Sequence, residues 1–311
     1  MRALSRLALP ALAAIVSLAA AWPREPAAGG WGLSTLCAAA QESAPTWTFS
    51  AWIVDPLLLS AALYASGVAD LWRRAGIGRG VALWRVGLYG AAWLSLAAAL
   101  VSPLHWLGDR LFAAHMIEHE IVMAVAAPLF VLAAPGGAML RPLPRRLRRW
   151  LNLPRLRLLW AWLTRPMIAT ISHGVAIWLW HAPALFDAAL ENAALHRLQH
   201  VSFFVTALFF WRAMLRRSDR GVACFHVFAT MVHTSLLGAL IALAPHVLYR
   251  AQTAQSAAWG FTPLEDQQLA GLIMWAPAGA LYAGAALALA ALWIKRSSKE
   301  TWTTRDALEK A

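Results

Sequence analysis

Cysteine is nearly absent from this chain and charge is scarce. Cys37 and Cys224 are the only cysteines in 311 residues, and no CxxC or CxxxC pattern occurs. That excludes a thiolate zinc site and the cysteine-pair motif of small copper chaperones. Nor can a disulfide be argued, because Cys224 opens a predicted membrane helix near its cytoplasmic end. Charged residues make up 14% of the chain against 60% hydrophobic, and the mean hydropathy is +0.55. Soluble proteins of this length rarely carry so few charges, whereas polytopic membrane proteins routinely do. Acidic residues are the scarcer sign, 15 against 27 Lys and Arg, for a net charge of +12. The basic residues do not gather into one patch that nucleic acid would need; they sit in the links between apolar runs, and nucleic acid is not expected as a partner. A Gly-rich phosphate loop and a transporter-type internal repeat are also missing.

What is present is a series of long apolar runs. Several approach the roughly 20 residues that a helix needs to cross the hydrocarbon core. Seven spans are predicted, at about residues 52–72, 81–101, 112–134, 166–181, 198–215, 222–243 and 268–293. Each must be helical, because lipid offers no partner to a free backbone N–H or C=O. The links alternate in charge. Arg73, Arg74, Arg79 and Arg85 follow the first span, and eight arginines with no acidic residue lie between Arg141 and Arg165. Arg212, Arg216, Arg217 and Arg220 follow the fifth span, and Lys295, Arg296 and Lys299 the last. The other links hold most of the loop carboxylates. The positive-inside rule then places the arginine links and the C-terminus in the cytoplasm.

Ahead of the first span, MRALSRLALPALAAIVSLAAAWP has the charged start, short apolar stretch and small residues of a signal peptide, with an uncleaved helix as the alternative. The expected organisation is thus an all-α polytopic membrane bundle. Residues 1–40 form a signal peptide or leader helix with an external linker, 50–293 a seven-helix membrane domain, and 294–311 a cytoplasmic tail. Tryptophans near span ends, among them Trp47, Trp106, Trp180, Trp211 and Trp293, are expected at the membrane interface.

The ten histidines are unevenly spread over this topology. All but His226 fall in the outer half of the membrane or on its external face. His115 and His119 are i, i+4 in the third span, with Glu118 and Met123 on the same side of an α-helix. His196 and His200 repeat the spacing in HRLQH, entering the fifth span from outside, and His181 ends the fourth. An HxxxH pair presents two imidazoles to one metal, and a second helix can supply the rest. Imidazole binds either copper oxidation state, and a thioether favours Cu(I). These residues predict a shallow external copper site with His115, His119, His196 and His200 as ligands and His181 and Met123 behind them. Asp266 and Gln267, at the start of the last span, are expected to orient ligand imidazoles, and Glu118 to offset the cation's charge. A lone membrane histidine more often ties helices together, which is the expectation for His105, His226 and His246. Glu120 and Glu191 are expected to be solvated.

Three segments, HMIEHEIVMAVAAPLFVLAAP, WHAPALFDAALENAALHRLQHVSFFVTALFFW and EDQQLAGLIMWAPAG, together resemble the CtaG-like cytochrome c oxidase assembly factors associated with oxidases of the caa type. The similarity runs from about residue 50 to 293. It implies a seven-helix, multi-pass protein of the bacterial plasma membrane that helps to make a haem–copper oxidase. Oxidase subunits would be its partners, and an external copper chaperone is a further candidate. The positions carried over are His115, His119, His181, His196, His200, Asp266 and Gln267. One departure stands out: the pair often written HxxEH is HRLQH here, and Gln199 supplies no carboxylate. The combined reading is a non-enzymatic assembly factor presenting copper, Cu(I) foremost. The alternatives are a haem protein using His173 and His233, a metal-free scaffold and, least favoured, a di-iron oxygenase, whose HxxHH box is missing.

Overall fold

The structure, a computed structural model, describes residues 46–309, with side chains to residue 297. The leader expected over residues 1–40 lies outside the described residues. Among the described residues every regular element is helical. Helix α1 spans Ala51–Ala75, α2 Leu83–Leu100 and the short α3 Pro103–Gly108. The third apolar run forms α4 (Phe112–Glu120), a π-helical turn (Ile121–Ala126) and α5 (Ala127–Ala133). Three short helices follow: α6 Gly136–Leu140, α7 Arg145–Leu151 and α8 Pro154–Leu163. The remainder comprises α9 (Pro166–Trp180), α10 (Pro183–Glu191), α11 (Ala193–Arg216), α12 (Arg220–Ala242), a 3₁₀ turn (Ser256–Trp259), α13 (Pro263–Trp275) and α14 (Pro277–Glu309).

Among the described residues six stretches are long and apolar enough to cross a membrane: Ala51–Ala75, Leu83–Gly108, Phe112–Ala133, Ala193–Arg216, Arg220–Ala242 and Pro263–Ser297. The expected fourth span is shorter than that. Helix α9 has 15 residues, about 22 Å at a rise of about 1.5 Å per residue, against a hydrocarbon core of about 30 Å. Proline sets both of its limits. Pro166 occupies the first turn, where its missing N–H costs nothing, and Pro183 disfavours helical backbone in the residue before it.

Contacts sort the links onto two ends of the bundle. At one end, guanidinium groups hydrogen-bond backbone carbonyls of neighbouring helices. Arg216 Nη2 donates to Leu132 O (2.6 Å), Arg217 Nη1 to Ala161 O (2.6 Å) and Arg220 Nη1 to Leu292 O (3.2 Å). There too Asp70 pairs with Arg74 and Arg141 at 2.9 and 2.7 Å. The opposite end gathers α3, the start of α4, the end of α9, the start of α11 and the α12–α13 loop. The arginine links therefore do share one end, and α9 connects the two ends despite its length.

The core is built on α11. Phe203, Phe209, Phe210 and Trp211 are all buried and pack with residues of α4, α9, α12, α13 and α14. Some tryptophans expected at the interface belong to this interior instead. Trp211 Nε1 donates to Met123 O (2.9 Å) and Trp180 Nε1 to Ser202 Oγ (2.8 Å), while Trp106 is also buried. An indole with a partner for its N–H is as stable inside as at the interface. Trp47 and Trp293 remain exposed.

Glycines decide one packing contact that fixes the candidate site. A Cβ on Gly271 would lie 2.4 Å from Ala242 N, and one on Gly238 2.8 Å from Gly271 O. Helices α12 and α13 thus touch backbone to backbone, the close approach that small residues permit in membranes.

Candidate metal centre

The helix carrying His115 and His119 starts without a cap of its own. Its first N–H groups are capped from far along the chain: Asp266 Oδ2 accepts from Phe112 N and Oδ1 from Ala113 N, both at 2.9 Å. Ser256 Oγ donates to the same carboxylate at 2.7 Å. A carboxylate at a helix N-terminus also meets the positive end of the helix dipole. Asp266 is fully buried with its oxygens committed to these groups, so it positions α4 rather than orienting an imidazole. Gln267 acts likewise on the next loop, its Oε1 accepting from Leu248 N at 2.6 Å and its Nε2 donating to His246 O at 3.2 Å. Both differ from the imidazole-orienting role expected of them, because backbone N–H groups at a buried loop and helix start outcompete side chains as partners.

Helix α11 is capped locally. Asn192 Oδ1 accepts from Ala194 N (2.9 Å) and Leu195 N (3.3 Å), which fixes the phase that brings His196 and His200 inward.

The four predicted histidines meet. Ring centroids lie 4.2 Å apart for His115 and His119, 4.7 Å for His196 and His200, 5.1 Å for His119 and His200, and 5.7 Å for His115 and His196. His196 Nε2 and His200 Nε2 are 3.0 Å apart, close to the separation of two ligands on one ion with metal–nitrogen distances of about 2.0 Å. His181 adjoins His119 at 6.3 Å. Its Nδ1 donates to Ile177 O at 2.7 Å, which leaves Nε2 as a bare, buried lone pair. That is the second-partner arrangement common to metal-binding imidazoles. Tyr249 fixes the same residue by donating from its hydroxyl to His181 O at 2.6 Å. Burial, with the Asp187 charge second, pushes the Tyr249 phenol above the usual tyrosine range, so it remains a neutral donor.

The cluster is closed rather than shallow. His115 and His119 are each 1% exposed, His181 3% and His200 4%. Phe186 and Phe203 wall it, with Phe203 4.8 Å from the His119 ring. His196 is half-buried.

Sequence reasoning missed His105, which joins the group at 6.4 Å from His196 and 6.1 Å from His200. Its Nδ1 lies 3.0 Å from both oxygens of Glu118. Glu118 is fully buried, with His200 Nδ1 3.5 Å away on its other side. A Cβ on Gly108 would sit 3.0 Å from Glu118 Oε2, so the glycine lets α3 press against this carboxylate. The only sequence signal for His105 was its place in the short link just before His115. Gln252 was missed as well; it donates from Nε2 to Gly108 O at 2.7 Å and holds the α12–α13 loop over the cluster.

Met123 lies on the π turn and belongs to the apolar core. The π turn beginning one residue after Glu120 widens the helix, with Ala127 N–H donating to Val122 O five residues back. Glu120 is not solvated as expected; its Oε2 is buried without a partner. His173 and His233 stand apart from the cluster. Thr206 Oγ1 (3.1 Å) and Tyr282 OH (3.4 Å) engage both ring nitrogens of His173, and His233 Nδ1 accepts from Trp178 Nε1 at 3.3 Å. His226 pairs with Thr170 Oγ1 at 3.0 Å.

Five buried ring nitrogens of the cluster have no hydrogen-bond partner among the described residues: His115 Nε2, both nitrogens of His119, His181 Nε2 and His200 Nδ1. As the side chains stand, no three His, Cys, Asp or Glu residues among those described are set to hold one ion. Coordination would require ring rotation. The donor set still suits a soft or borderline cation, being a group of imidazoles with one carboxylate at its edge beside His105 and His200.

Residues 62–296, most of the chain, match the family described as cytochrome c oxidase caa3 assembly factor, Caa3_CtaG. The chain belongs to that family. The match includes every residue of the histidine cluster together with Asp266 and Gln267, and it agrees with the resemblance drawn from the three motif segments. The Caa3_CtaG helices are long and apolar enough for a multi-pass membrane protein, and an oxidase is the partner that the family description implies. No curated protein and no solved structure matches the chain.

Proposed function

We propose that this Caa3_CtaG protein is a non-enzymatic factor that holds copper, as Cu(I), in the histidine cluster and presents it to a cytochrome c oxidase. One observation carries the reading: buried imidazoles with unpartnered nitrogens gather in one cluster, where His105 and His200 flank a single buried carboxylate, in an interior where a lone polar group is expensive. His115, His119, His196 and His200 are the ligands, His181 a preset reserve, and His105 with Glu118 the charge-balancing pair. Copper is cargo here. A set of imidazoles without thiolates gives an affinity that a partner site can exceed.

The chain crosses a bacterial plasma membrane seven times, with α9 completing the circuit between the arginine and histidine ends. By the positive-inside rule the arginine end and the C-terminus are cytoplasmic and the cluster faces outside, where an external chaperone would load it. Haem gains no comparable support, since both nitrogens of His173 already have protein partners.

The test is maturation of the oxidase in cells that express single variants. His115→Ala and His200→Ala are expected to abolish oxidase activity and lower its copper content while the factor's own abundance stays near normal. His226→Ala, which removes the Thr170 hydrogen bond away from the cluster, is expected to be mild. Equal loss of abundance in all three would make the cluster a packing feature and leave a metal-free scaffold.

A further inference from the structure

At the end of the bundle opposite the histidines, α7 and α8 form a short helical hairpin with an unusual surface. Their sequence, RRLRRWLNLPRLRLLWAWL from Arg145 to Leu163, has six arginines and no acidic residue. Arg145, Arg146, Arg149, Arg155 and Arg157 are exposed, and among the described residues none has an ion-pair partner. Apolar side chains are exposed beside them: Leu158 is 70% accessible, Trp150 51% and Trp162 47%. Neither water nor the protein interior suits such a surface, because the guanidinium groups need solvation or anions and the indoles need an apolar phase.

The hairpin is also held firmly. Leu151 and Trp160 are buried, Trp160 packs on Phe209 at 5.2 Å, and Arg217 Nη1 donates to both Ala161 O (2.6 Å) and Thr164 Oγ1 (2.8 Å). The arginines are therefore presented on a platform fixed to α11, at the level where the helices leave the membrane.

We propose that the α7–α8 hairpin is a binding surface for anionic phospholipid. Its guanidinium groups take the phosphodiester headgroups as charge-assisted, forked hydrogen-bond donors. The neighbouring Leu and Trp side chains lie among the glycerol and upper acyl carbons, the usual placement of an interfacial amphipathic helix. Charge complementarity selects this occupant: the face has cations only, and the adjoining leaflet is the nearest large source of phosphate anions. The surface is independent of copper binding.

The test uses the full-length protein in mixed micelles containing phosphatidylglycerol or phosphatidylcholine with identical acyl chains. Lipid retained after gel filtration is counted by mass spectrometry. Wild type is expected to retain phosphatidylglycerol in preference to phosphatidylcholine, with the preference falling as salt is raised. Arg145→Gln with Arg149→Gln is expected to weaken that preference by about thirtyfold, at roughly 1 kcal/mol per arginine. Arg145→Lys with Arg149→Lys, which folds with the charge kept, should retain most of it. A charge-matched control, Arg73→Gln with Arg79→Gln in another arginine link, should change it little. Equal retention of the two lipids by wild type overturns the proposal. So does an equal loss in the control pair, which would mean that net charge alone attracts the lipid.

Discussion

His119 has neither ring nitrogen hydrogen-bonded although it is 1% exposed. A neutral imidazole always carries one N–H, and leaving it buried and unpaired costs about 1–3 kcal/mol. Beside it His115, His181 and His200 each leave one buried ring nitrogen without a partner, a grouping better explained by a cation than by packing. Their sequence signal was direct, since an i, i+4 spacing on a helix fixes side-chain proximity before any tertiary contact is known. The supporting residues carried no such signal. Asp266 reaches Phe112 across 154 residues and Gln252 reaches Gly108 across 144, and spacing says nothing about contacts of that separation. Hence Asp266 was expected to serve an imidazole when it serves a helix start. Asp266→Ala should strip acceptors from two buried N–H groups and lower stability by about 2–5 kcal/mol, read as a clear drop in melting temperature. Asp266→Asn, retaining one acceptor, should lose less. A full loss of copper with an unchanged melting temperature would instead return Asp266 to the imidazoles.

Most helices were legible from hydropathy alone, because lipid leaves an apolar segment no alternative to helix. Two features of element geometry were not. The fourth span was expected from composition, but the prolines at either end leave it with 15 residues. The π turn after Glu120 has no marker in AVAAP; it is stabilised by a tertiary contact, Trp211 Nε1 on Met123 O. The segment DQQLAG is a joint. Asp266 and Gln267 tie down two backbone segments, Ala270 is fully buried, and Gly271 admits α12. Gly271→Leu should therefore push α12 and α13 apart, costing several kcal/mol through overpacking (about 1–3 kcal/mol for the side chain alone). Measured as abundance in the membrane, the variant should fall well below Leu269→Ala, a partly exposed neighbour. Equal abundance of the two would contradict the close helix contact.

At the scale of the molecule, histidines and arginines occupy opposite ends of one bundle, and the charge pattern of the links was enough to foresee that polarity. Which end faces the cytoplasm is tested by reporter fusions. Fusions after Arg157 and Lys299 should report cytoplasm, and fusions near Asp187 and Gln255 the exterior; a cytoplasmic signal at Asp187 would place the cluster on the wrong side for external copper. The closed arrangement of the cluster also bears on pH. Protons and copper compete for the same ring nitrogens, so copper occupancy should fall as the pH is lowered. The most direct measurement is the copper content of detergent-purified protein after anaerobic loading with Cu(I), wild type beside His119→Ala combined with His196→Ala. One copper per wild-type chain and none in the double variant is the expected result. Equal copper in both proteins, or none in the wild type, would contradict a copper site built from these histidines.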